Sequence, residues 1–137
     1  MILDDAVYQL KINFPTFDQT YDGDDNAYLV YGSFGSYILD LINLFVFGEI
    51  AVRNYFYSKL EKLFNDHDLI HAELVSIFLY IDKMFIENDK DLLDILNTCI
   101  FEALMGNDYS YDLSRHYFSK DTYNHYLKVT QRVSDFE

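Results

Sequence analysis

Apolar residues recur every three or four positions along most of the chain, the spacing that lays one apolar stripe along an α-helix. In "DLIHAELVSIFLYIDKMFIEN" the stripe is Ile70, Leu74, Ile77, Phe78, Ile81 and Phe85, which predicts a clean amphipathic helix. A first helix is predicted from about Leu3 to Asn13, with Asp4 and Asp5 favourable at its positive N-terminus. "NFP" stops it, because Pro15 disfavours helical geometry at Phe14, and "TYDGDDN" follows as a polar connector. From about Ala27 to Asn65 the stripe returns as Ile38, Leu41, Ile42 and Phe45, then Val52, Phe56, Leu60 and Leu63. Gly48 interrupts it, which predicts two helices rather than one rod.

Beyond a corner at Asn65 to Asp68 and the long stripe, "NDKD" resets the chain. "DLLDILNTCIFEALMG" then predicts a helix with Leu92, Leu96, Cys99, Ile100 and Ala103 inward and Gly106 as C-cap. "NDYSYDLSRHYFS" reads as loop or short helix, and Ser119 can cap a last helix from Lys120 to about Arg132. The chain has one proline, no internal repeat and no low-complexity segment. The expected architecture is all-α: a compact single-domain bundle of five to seven helices covering residues 1–137.

Composition changes this picture at two points. Thirteen Tyr and twelve Phe, with no Trp, are more rings than a core needs, so a number of phenol groups are expected at the surface. Those beside acids, Tyr21, Tyr28, Tyr31, Tyr109 and Tyr111, are the surface candidates. The second point is charge: 23 acidic against 10 basic residues, a formal net of −13, which argues against direct binding to nucleic acid or anionic lipid and favours cationic surfaces. The excess is segregated. Residues 1–40 hold seven acids and one base, and residues 64–112 eleven acids and two bases, net −6 and −9; residues 41–63 and 113–137 are each +1.

The single cysteine, Cys99, excludes an intramolecular disulfide and is expected as a buried, inert thiol. No charged segment precedes an apolar one at the N-terminus, and Asp40, Asn43 and Gly48 break the apolar runs. Neither a signal peptide nor a transmembrane helix is therefore expected, and the localisation expected is cytoplasmic.

Candidate chemistry is sparse. Asp22, Asp24 and Asn26 imitate the alternating ligands that open a calcium loop, but Ala27 stands where the sharp turn needs Gly and Ser33 where a bidentate Glu belongs. "HDLIH" places His67 and His71 four residues apart, as in helical zinc proteases, yet Asp68 replaces the general-base Glu. Asp66 or Asp68 is better read there as a helix N-cap. His116 and His125 have no cysteine or carboxylate at ligand spacing, and "YGSFGS" lacks the Lys and the strand of a phosphate-binding loop. No metal, cofactor or catalytic residue is expected, and the chain is not expected to be an enzyme.

The segments "INFPTF", "DLIHAELVSIFLYIDKMFIENDKDLLDILNTCIFEALMG" and "YDLSRHYFSKDTYNHYLKV" together resemble a class of small, acidic, helical bacterial domains: the immunity proteins of contact-dependent growth inhibition and other polymorphic toxin systems. The resemblance covers most of the chain and consists of packing patterns. It implies a cytosolic protein that binds and silences one cognate toxin, often a nuclease, and it carries no catalytic residues over. The charge pattern agrees, because an acidic surface with exposed tyrosines can occupy a cationic groove. The expected partner contacts are Tyr21, Asp22, Asp24, Asp25, Tyr28 and Tyr31 in the first acidic block and Glu87, Asp89, Asp91 and Asp94 in the second. A phage-type nucleic-acid mimic directed at a restriction or CRISPR-type nuclease shares these electrostatics. A small enzyme or a subunit of a larger assembly are the remaining classes.

Overall fold

The computed structural model describes residues 2–48, 60, 62–64 and 66–131. Those residues form seven α-helices and one π-helical segment, with no strand among them, so the all-α bundle is as expected. The helices are α1 (Ile2–Asn13), α2 (Pro15–Thr20), α3 (Ala27–Phe47), α4 (His67–Ile86), α5 (Lys90–Ile95), α6 (Asp108–Tyr117) and α7 (Lys120–Val129), with the π segment at Leu96–Phe101.

Local chemistry explains most boundaries. Phe14 leaves helical geometry before Pro15, at φ −129° and ψ 70°, but the chain restarts a helix at once. Proline suits a first helical position, where its missing N–H has no partner to lose. The polar connector is thus shorter than expected, beginning only at Tyr21. Asn26 caps α3, its Oδ1 accepting from Tyr28 N at 3.0 Å and Leu29 N at 3.3 Å, and Gly48 ends it at φ 51°, a conformation costly for other residues. The second helix of that block, expected around Val52 and Phe56, falls on 49–59, outside the described residues. Asp66, Asp89 and Asn107 cap α4, α5 and α6 in the same way as Asn26. Ser119 precedes α7, but its hydroxyl does not cap the helix backbone. Ser119 N and Oγ instead both donate to Asp82 Oδ1 at 2.9 Å, which ties the start of α7 to α4. That helix ends at Val129, short of the expected limit, and Arg132 lies outside the described residues.

Helix α3 is the centre of the bundle and packs against the π segment, α4 and α1. Phe34 is fully buried with its ring centroid 5.2 Å from those of both Phe14 and Phe17 and 6.0 Å from that of Tyr37. Burial of such a ring contributes roughly 1.5–3 kcal/mol. By length and composition α3 could cross a membrane, contrary to the expectation drawn from its interrupted apolar runs; half of its most apolar window is buried inside the bundle. A core helix needs no membrane to be this apolar, and α3 occupies that position.

Two inward faces differ from the periodic reading. On α4, Met84 is buried and Phe85 only half-buried. In the stretch after α5, Leu104 is buried and Ala103 only partly. There the bonding changes to five residues, as in Glu102 N to Asn97 O at 3.1 Å, and a π turn advances the register by about one residue. Gly35 of α3 lies against this turn. A methyl group added at Gly35 would fall well inside contact distance of the Cys99 carbonyl oxygen and 3.3 Å from Ala103 Cβ. The Cys99 thiol is buried as expected, directed at Tyr28 O, and burial pushes its pKa up.

Candidate partner-binding surface

Two segments far apart in sequence meet at the N-terminal end of α3, where a tyrosine of the first acidic block contacts the second block. Tyr28, in the first turn of that helix and 39% exposed, donates its hydroxyl to Asp94 Oδ2 of α5 at 2.5 Å. The hydrogen bond to the Asp94 carboxylate, with the charge of Asp91 beside it, pushes the Tyr28 phenol up to about 12. Tyr28 is therefore a neutral donor at physiological pH, while the exposed Asp91 carboxylate faces solvent. One turn away, Asp25 is ion-paired with Lys11 of α1 at 2.5 Å, and this pair raises the pKa of the lysine. Asp89 accepts from Asp91 N at 2.9 Å and Leu92 N at 3.1 Å, so its carboxylate is engaged as a cap.

The connector places Tyr21, Asp22 and Asp24 elsewhere. They line a recess of about 650 Å3 over the other side of α3, with Phe17 and Tyr37 in its wall and Asp40 at its edge. Tyr21 donates to Asp24 O at 2.5 Å, and its ring lies over Gly23, folding the connector back on itself. Among the described residues this is a second acidic patch, separate from the Tyr28–Asp94 contact. Tyr37 also donates to Glu73 Oε2 at 2.7 Å, and burial raises the pKa of Glu73 despite that bond.

Two of the five expected surface tyrosines are interior. Tyr31 is fully buried and donates to Ala6 O at 2.8 Å, and its oxygen is 3.1 Å from that of Tyr80. Tyr111 is 2% exposed and stacks on Tyr126, with ring centroids 4.7 Å apart. Proximity to acids in sequence misled here, because both rings sit on the inward stripe of their helices. Tyr109 is half-buried against Phe45, with centroids 5.3 Å apart. Above Tyr31, a cavity of about 530 Å3 opens between α1 and α4, with Asp5, Glu87 and Tyr80 in its lining. Asp5 and Tyr80 are not among the residues the sequence marks for the site. The i, i+3 spacing of Tyr80 from Ile77 on the long stripe could have marked its ring as half-inward; nothing in the sequence pairs Asp5 with Glu87.

The histidines are structural in their contacts. The His67 ring stacks on Phe45, with centroids 3.8 Å apart, and its Nε2 lies 3.1 Å from Phe45 O. Asp66 caps α4, as the corner reading expected. His125 Nε2 lies 2.7 Å from Asn97 Oδ1, and burial lowers its pKa. Among the described residues no three His, Cys, Asp or Glu side chains come together to hold a metal ion. Comparison of the chain with family models, curated proteins and solved structures finds no match.

Proposed function

We propose that this chain is an immunity-type inhibitor: an acidic helical domain that binds a cationic protein toxin, in the first instance a nuclease, and silences it by covering its basic surface. Such an inhibitor performs no chemistry and works in the cytoplasm, where such a toxin acts. The observation that carries it is the Tyr28–Asp94 hydrogen bond, which sets an exposed ring of the first segment beside the carboxylates of the second acidic block, net −9. Asp91 and Asp94 are exposed there, and Tyr28 offers ring area beside them. Complementary charge of this kind raises association rates toward about 10⁸–10⁹ per molar per second at low salt, and desolvated aromatic contacts then slow dissociation.

The test is co-expression with the product of the immediately upstream reading frame, followed by co-purification and an assay of nuclease activity with and without this chain. A stable, inhibitory complex supports the reading. No complex, or a complex that leaves the activity intact, contradicts it.

A further inference from the structure

The cavity between α1 and α4 has an apolar body and an acidic mouth. Leu79, half exposed, and the half-buried Tyr80 form one wall, Phe14 lies at its base, and Leu92 of α5 closes one end. Its hydrogen-bonding groups are ordered. Tyr31 donates to the Ala6 carbonyl, so the Tyr80 hydroxyl must donate to Tyr31, which leaves the Tyr80 oxygen on the cavity wall as an acceptor. Asp5 of α1 and Glu87, just past the end of α4, are both exposed lining residues and add further acceptors. Lys83 is the one cation among the described lining residues, and no ion pair joins it to either acid.

We infer that this cavity is the anchor pocket of the partner interface and takes one arginine side chain of a basic protein. The inference rests on the proposed function only for the protein that supplies the arginine. Wall and mouth each fit that occupant, and the volume admits it. The aliphatic stem would pack on Leu79 and Leu92, and the guanidinium would lie beside the Tyr80 ring. A planar fork of donors meets two carboxylates and a phenol oxygen better than the compact ammonium of lysine does. Leu92 belongs to the same short helix as Asp91 and Asp94, so α5 borders both the pocket and the acidic edge at Tyr28. A buried arginine flanked by weaker charged contacts is the usual arrangement of an energetic centre and its rim.

The experiment uses the full chain and N-acetyl-L-arginine N-methylamide as probe, followed by amide shifts in two-dimensional NMR. The citrulline analogue, of the same shape without the charge, is the control. Expected are saturable shifts confined to residues 5–14, 79–87 and 92, absent with citrulline. The double variant Asp5→Asn, Glu87→Gln weakens binding at least fivefold, whereas Glu102→Gln, Asp121→Asn, which removes the same charge elsewhere, changes it less than twofold. Lys83→Met strengthens binding more than Lys120→Met does. No saturable shift, equal binding of citrulline, or equal effects of the two double variants overturns the inference. The outcomes separate from those of the proposed function. Arginine binding without a toxin complex removes the function and keeps the pocket. A toxin complex without arginine binding does the reverse.

Discussion

Substitution of Gly35 by alanine tests the packing of α3 against the π turn. The two effects on the helix oppose one another. Alanine in a helix interior is favoured over glycine by about 0.5–1 kcal/mol. At Gly35, however, the added methyl meets the Cys99 carbonyl oxygen well inside contact distance, with Ala103 Cβ at 3.3 Å on its other side. The obstructing atom is backbone, so no side chain can rotate away, and α3 must separate from the π turn. Overpacking of this kind costs typically about 1–3 kcal/mol, and a rigid partner places it at the upper end, for a net loss of about 2 kcal/mol. Gly32 is the internal control: it lies on the same helix, and nothing stands within 4 Å of a methyl added there. Gly32→Ala should stabilise by about 0.5–1 kcal/mol. The assay is urea denaturation followed by far-ultraviolet circular dichroism, where the Gly35→Ala midpoint should fall by about 1 M at a typical slope. A Gly35→Ala midpoint at or above that of the parent, with an unchanged slope, would refute the close approach.

Further outcomes follow from buried polar groups and from the acidic edge. Tyr126→Phe removes the hydroxyl that donates to Leu104 O at 3.1 Å and stands 2.8 Å from Ser110 Oγ, so the buried Ser110 hydroxyl loses that acceptor while Leu104 O keeps its bond from Asn107 N. A loss of about 1–3 kcal/mol in the same denaturation assay is expected. The Tyr28 phenol should titrate near 12 by carbon NMR, and Asp94→Asn should move it back toward its ordinary value of 10.0. Burial raises Glu73 above its ordinary 4.5, so the folded state holds a proton that the unfolded chain has already lost. Stability therefore falls as pH rises from 4.5 through the raised value, and Glu73→Gln, which keeps an acceptor for Tyr37, should remove that slope. His125 acts in the other sense: its lowered pKa means the unfolded chain takes the proton first, so stability falls as pH drops below 6.5. His125→Gln should flatten the profile in that range.

The helices were legible in the sequence because their apolar stripes are long, and the start of α4 because its cap at Asp66 is explicit. Where the expectation failed, a local exception overrode the period. Pro15 ended one helix and began another, and the π turn at Leu96–Phe101 moved the inward position from Ala103 to Leu104. Neither leaves a mark on a 3.6-residue pattern, because both depend on how the backbone bonds. For the candidate surface, charge segregation was visible but its geometry was not. Asp22 and Asp24 stand over a recess away from Asp94, while Tyr28 and Asp94, sixty-six residues apart, are hydrogen-bonded. Tyr31 and Tyr111 show the corresponding error for rings: a tyrosine beside acids in sequence can still face the core, provided its hydroxyl finds a partner there, as Tyr31 does at Ala6 O.

The most direct measurement is the association rate of this chain with the protein encoded upstream, taken at low and at high salt. The parent and the Asp91→Lys, Asp94→Lys variant are compared at equal fold stability. Fast, strongly salt-dependent association is expected for the parent, slowed at least tenfold in the variant and with a weaker salt dependence. Equal rates and equal salt dependence in the two proteins would contradict it.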